Sequence, residues 1–169
     1  GTLSMNYGGG AGYDGTVTLG GAMTISTTFL TKGGTLNTSA SGNYSLTVDG
    51  TAEIDNGLLI CNSSTVIFNG TTDFKGAGTD VYLSAPDASG SLELNDTCDW
   101  RGGGTFLHND GTVFMKNTAH ETYRFGGDGD IFNNLVVYPQ GGVENRLYGR
   151  FTILGTLSVT NANGYVNIY

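Results

Sequence analysis

Asp96, Asp99 and Arg101 form the densest group of charged side chains, in the string Asn95-Asp-Thr-Cys-Asp-Trp-Arg101. Two carboxylates held a few ångströms apart are what a glycosidase uses as acid and base, and stacked coils of chain can supply such a separation. No second cluster completes this one. The sequence also holds no nucleophile elbow, phosphate loop or metal-ligand pair. Acidic residues beside turns are usually just solvated. The expectation is a protein that is not an enzyme and carries no cofactor.

Gly126-Gly-Asp-Gly-Asp130 is similar to one copy of a calcium-binding nonapeptide repeat. Asp128 and Asp130 would be its ligands. A lone copy lacks ligands from a following coil, so a plain turn is the simpler reading. Cys61 and Cys98 lie nearly two coils apart, about 9.6 Å at ordinary strand spacing and beyond disulfide reach. They are expected as free, buried thiols. His108 and His120 add no zinc spacing.

A third set is Trp100, Arg101, Tyr123, Arg124, Tyr148 and Arg150. All four arginines lie after residue 100, where the only tryptophan and many Phe and Tyr residues also gather. Arginine among large aromatics marks an interface hot spot or a sugar-binding platform. These six are the interface or glycan-binding candidates. The plainer alternative places the aromatics inside and the arginines in water.

Charge narrows the partners. Seven basic residues face fifteen acidic ones, a net charge of −8. Such a chain repels a phosphate backbone, so no nucleic acid partner is expected. No basic stripe suits an anionic membrane surface. No apolar run reaches the roughly 18 residues that would suggest insertion into a membrane.

The elements that hold these residues follow from a ten-residue pattern. It reads Thr16-Val-Thr-Leu-Gly-Gly-Ala-Met-Thr-Ile25. It returns as Ser45-Leu-Thr-Val-Asp-Gly-Thr-Ala-Glu-Ile54, Thr65-Val-Ile-Phe-Asn-Gly-Thr-Thr-Asp-Phe74 and Arg150-Phe-Thr-Ile-Leu-Gly-Thr-Leu-Ser-Val159. Asp49-Gly50 and Asn69-Gly70 look like hairpin turns. A two-residue hairpin at Gly20-Gly21 would put Met23 and Ile25 on the face opposite Val17 and Leu19, because side chains alternate with period two. All four copies instead keep the parity of one strand bent at glycine. Gly21, Gly50, Gly70 and Gly155 then sit as small inward residues at corners. The reading is an all-β, single-stranded parallel β-helix, or β-solenoid, with an antiparallel β-sandwich as the alternative.

Composition agrees. There are 29 Gly and 2 Pro, with abundant Thr, Asn and Ser, and no window has helical apolar spacing. The expected interior residues are Val17, Leu19, Ile25, Leu46, Val48, Ile54, Val66, Phe68, Phe74, Phe151, Ile153, Leu157 and Val159. Thr18, Thr47 and Thr152 should face out. The corner glycines are unevenly spaced along the chain, with the widest gap between Gly70 and Gly155. Coils of about 20 residues give roughly eight coils and a rod on the order of 40 Å long. The expected layout is one domain over 1–169, with regular coils in 1–75, an irregular stretch in 76–149 and regular coils again in 150–169. Both ends read as unfinished strands, as in a segment of a longer chain or assembly.

Gly15-Thr-Val-Thr-Leu-Gly-Gly-Ala-Met-Thr-Ile25, Phe132-Asn-Asn-Leu-Val-Val137 and Phe151-Thr-Ile-Leu-Gly-Thr-Leu-Ser-Val159 resemble the Gly-Thr-Leu-Thr-Val repeats of large β-solenoid proteins. Those are structural proteins of phage virions and tail fibres, and bacterial surface adhesins. The resemblance covers about half the chain. It implies a structural or attachment role in a phage or virus particle, as a fibre, spike or capsid-decorating protein. The alternatives are a bacterial surface adhesin or extracellular filament subunit, and a polysaccharide depolymerase module. The expected location is a virion or the cell exterior. The expected partners are further copies of the chain, other virion or surface proteins, and glycans.

Overall fold

The computed structural model describes residues 1–5, 15–75, 81–102, 104–117, 119–126, 130–139, 142–160 and 163–169. Among these there are 22 strands and no helix, so none is long and apolar enough to cross a membrane. The chain opens with β1 (Leu3–Met5) and then repeats a three-strand turn. The turns are β2 (Thr16–Thr18), β3 (Met23–Ile25) and β4 (Thr28–Thr31); β5 (Thr35–Asn37), β6 (Leu46–Val48) and β7 (Thr51–Asp55); β8 (Leu58–Ile60), β9 (Thr65–Phe68) and β10 (Thr72–Lys75). They continue as β11 (Val81–Ser84), β12 (Ser91–Leu94) and β13 (Cys98–Trp100); β14 (Thr105–Leu107), β15 (Thr112–Asn117) and β16 (Glu121–Phe125). The last are β17 (Ile131–Phe132), β18 (Asn134–Pro139) and β19 (Glu144–Tyr148); β20 (Thr152–Ile153), β21 (Leu157–Val159) and β22 (Tyr165–Ile168).

Strands three apart in sequence pair in parallel, which makes the molecule a three-sided parallel β-solenoid. Face one runs β1-β4-β7-β10-β13-β16-β19-β22, face two runs β2-β5-β8-β11-β14, and face three runs β3-β6-β9-β12-β15-β18-β21. A separate β17-β20 pair follows face two in chain order. The antiparallel alternative is not supported. The roughly eight coils expected are close to the about six full turns observed, and face one alone holds eight strands. Turn length varies. Thr16 finds its partner one turn on at Thr35, whereas Leu3 must wait until Phe29.

Short strands suffice because each inward residue stacks on its counterpart one turn away. On face three, Leu46, Val66, Leu92, Val113 and Leu135 form one buried column, and Val48, Phe68, Leu94, Met115 and Val137 form its neighbour. On face one, Ile54, Phe74, Trp100 and Phe125 continue inward as a column that turns aromatic. Trp100 stacks on Phe74 at 5.0 Å and on Phe125 at 5.5 Å, with Phe106 and Phe132 edge-on. Rings stacked at these distances match the spacing of the strands that carry them.

The expected parity holds, since Leu19 is buried and Met23 packs on the same core. Each bent strand is in fact two strands on adjoining faces. Most of the expected interior residues are buried; Val17, Phe151 and Ile153 are partly so. Leu157 and Val159 are exposed instead, because β21 is the last strand of face three and no further turn covers them.

The four glycine corners occupy two different edges of the rod. Gly21 and Gly155 precede face three, whereas Gly50 and Gly70 lie between faces three and one. Their roles differ accordingly. A Cβ on Gly50 would meet the Thr27 carbonyl oxygen at 1.6 Å, and one on Gly70 would meet that of Gly50 at 2.5 Å. A Cβ on Gly155 would meet Asn134 Oδ1 at 2.5 Å. Around Gly21 there is open space, which corrects its reading as a confined inward corner.

The stretch expected to be irregular, 76–149, places β11 to β16, β18 and β19 on the same three faces, while its β17 pairs, among the described residues, only with β20. Its corner glycines simply lack the flanking pattern. Gly102, Gly126 and Gly149 each sit against the backbone of the preceding turn at the end of a face-one strand.

Candidate ligand-binding groove

Face one carries a long row of charged side chains, because alternation leaves every second residue of its strands outside. Cys98, Trp100, Tyr123, Phe125 and Leu147 point in and are buried. Asp99, Thr122, Arg124, Arg146 and Tyr148 occupy the intervening positions. Parallel register sets them in rows across turns. One row runs Leu30, Glu53, Asp73, Asp99, Arg124 and Tyr148; another holds Thr122, Arg146 and Asn167.

Between these rows lies a groove of about 410 Å³, lined by Arg101, Thr122, Arg124, Phe125, Arg146, Tyr148 and Gly149. Gly149 has a φ of +104°, and its Cβ would strike the Phe125 carbonyl oxygen at 2.1 Å, so only glycine fits there. Three of the four arginines of an acidic chain thus share one depression.

Two of these arginines are already partnered. Arg101 Nε donates to both Asp99 carboxylate oxygens at 2.9 and 3.1 Å, and Nη2 donates to Oδ2 at 2.5 Å. That hydrogen bonding holds the Asp99 carboxyl below its ordinary pKa, and the charge of Arg124 adds a smaller effect. Arg146 grips Glu144 Oε2 through Nε at 2.7 Å and Nη2 at 2.5 Å, and Asn167 donates to Glu144 Oε1. The Glu144 carboxyl is lowered, chiefly by Arg146. Among the described residues Arg124 makes no ion pair. Tyr148, 37% exposed, stacks on Tyr169 at 4.5 Å and 11°.

Guanidinium groups keep their protons and donate in a fixed fork. Guanidinium N–H groups and a threonine hydroxyl can donate hydrogen bonds to oxyanions, and an exposed aromatic ring can stack on a sugar face.

The six sequence candidates are therefore divided. Arg101, Arg124 and Tyr148 meet in the groove. Arg150 is exposed nearby in sequence but does not line it. Trp100 and Tyr123 are 1% and 0% exposed, inside the rod, and belong to no surface. Thr122, Arg146 and Gly149 were not singled out from sequence. Their signal is register: Thr122 pairs with Arg146, and Arg124 with Tyr148, each one turn further along the rod.

The acidic cluster is likewise divided. Asp99 is held by Arg101, while Asp96 accepts from the Thr97 amide at 2.6 Å. Glu121 accepts from Thr97 Oγ1 at 2.6 Å. Burial is the main reason its pKa is raised, and Asp96 adds to it. Of the calcium candidates, Asp128 lies outside the described residues. Asp130 is buried and accepts from the Gly126 amide at 3.1 Å. No group of three or more metal-ligating side chains occurs among the described residues. Cys61 and Cys98 are free and buried, and burial pushes both thiols up.

Comparison with protein-family models, curated proteins and solved structures gives no match.

Proposed function

We propose that this chain is a non-enzymatic structural and attachment protein of a phage or virus particle, a fibre, spike or capsid-decorating element. The observation that carries the proposal is the in-register stack. Successive turns pair in parallel along face one, and side chains fill the interior, so the rod is stiff and recognition falls to its outer faces. A stiff rod in many copies turns weak contacts into avidity. The Thr and Asn content of the strands fits a surface meant to remain in water.

Immunogold labelling of particles and cells from the source organism tests this. Label on assembled particles is the expected result. Label confined to the cell envelope would make the chain a surface adhesin or filament subunit instead. Label on neither would remove both assignments.

A further inference from the structure

We infer that the face-one groove binds a carboxylate-bearing sugar within a glycan, with Arg124 as the primary anion contact and Tyr148 as the stacking surface. This inference deepens the attachment reading by naming what is attached to. It starts from the charge row. Glu53 and Asp73 are bridged by Lys75 at 3.5 and 2.9 Å, and Asp99 is clamped by Arg101. The next position in that row is Arg124, which has no ion-pair partner among the described residues. Arg101 and Arg146 flank it with their charge neutralised by Asp99 and Glu144, yet keep N–H groups beyond those used. The groove thus offers one guanidinium without an ion pair among the described residues, set between two that are paired.

That pattern selects the ligand. A dense polyanion such as nucleic acid needs several unpaired cations in a line, whereas the row beside Arg124 holds Glu53, Asp73 and Asp99, already paired with Lys75 and Arg101. A single carboxylate meets Arg124 alone and takes a charge-assisted hydrogen bond. Tyr169 covers one face of the Tyr148 ring, and Tyr148, 37% exposed, is among the residues lining the groove. A sugar offers an apolar C–H face for such a ring and hydroxyls for Thr122 and the spare arginine N–H groups. An acidic peptide offers the carboxylate without that face. The volume, about 410 Å³, falls in the roughly 300–1,000 Å³ range of small-ligand sites.

Calorimetric titration with tetragalacturonate and with sialyllactose is the test. The comparators are methyl-esterified tetragalacturonate and tetraglutamate. Saturable binding of at least one acidic sugar is expected. It should weaken about tenfold or more in Arg124→Ala and Tyr148→Ala, and should be unchanged in Lys116→Ala on face three. Unaltered melting temperatures would show that the variants are folded. Failure of both acidic sugars to bind overturns the inference. So does equal affinity for the methyl ester, or full affinity in Arg124→Ala. Equal or tighter binding of tetraglutamate would make the partner an acidic protein segment. Labelled particles with a non-binding groove would sink only the ligand, whereas a binding groove on unlabelled particles would sink only the location.

Discussion

Asn69 donates its side-chain amide to Asp49 Oδ1 at 2.8 Å, one turn earlier in the rod, and Asn95 repeats the bond onto Asn69 Oδ1 at 2.8 Å. The two Asx-Gly dipeptides here look like hairpin turns in sequence. Neither Asp49 nor Asn69 adopts the positive φ that such a turn requires. They form a side-chain ladder along a corner instead. Asn69→Ala removes two of its rungs. Both are exposed, so the expected loss is about 1 kcal/mol, the low end for two net hydrogen bonds. Urea unfolding of the variant measures it, and an unchanged midpoint would show that water replaces the ladder at no cost.

Gly50 and Gly21 look equivalent in the repeat but should respond unequally to alanine. At Gly50 the new Cβ meets the Thr27 carbonyl oxygen at 1.6 Å, a backbone atom that can move only if two turns separate. The expected destabilisation is about 2–3 kcal/mol, as for overpacking a close-packed site. At Gly21 nothing lies within 4 Å, and the backbone is not in the left-handed region. The expected change there is within about 0.5 kcal/mol. Thermal melting of the two variants side by side decides it, and similar losses would contradict the assignment of the two corners.

The solenoid was legible because parity is a strict constraint. Val17, Leu19, Met23 and Ile25 can share an interior only if the chain bends at the glycines without reversing. The corner positions were not legible. Any corner between two short inward-facing strands asks for a small residue, so Gly21 and Gly50 resemble each other although they sit on different edges. The turns differ in length, so no fixed period separates the two classes. Trp100 and Tyr123 were misplaced because charged neighbours drew attention to the surface, although alternation with Asp99 and Arg124 puts both inside. Arg146 was missed because its strand, Glu144-Asn-Arg-Leu-Tyr148, has only Leu147 as an apolar marker of the inner face.

Trp100 should prove a determinant of stability rather than of assembly. It is buried against Phe74, Phe106, Phe125 and Phe132. Trp100→Ala opens a cavity in the middle of this column and is expected to cost about 3–5 kcal/mol. Trp100→Phe keeps a stacked ring and removes a buried indole N–H that has no hydrogen-bond partner among the described residues. Its expected loss is below about 1.5 kcal/mol. Chemical denaturation of both variants, with mass in solution measured alongside, tests the assignment. A change of oligomeric mass at unchanged stability would return Trp100 to an interface.

Asp130 gives the fold a pH dependence of definite sign. It is 8% exposed, and burial raises its pKa from the ordinary 3.8 to about 6. The Gly126 amide, which donates to it, offsets only part of that rise. Between pH 4 and 6 the folded chain therefore holds a proton that the unfolded chain has released. Stability from this group falls as pH rises through that window, and the full penalty stands above it. Asp130→Asn keeps an acceptor for Gly126 and removes the buried charge. The variant should melt higher than the parent at pH 8, and the two should converge at pH 4, where Asp130 is protonated in the fold. Melting curves at the two pH values are the check. A difference of equal size at both would mean that the variant acts through packing and not through the charge.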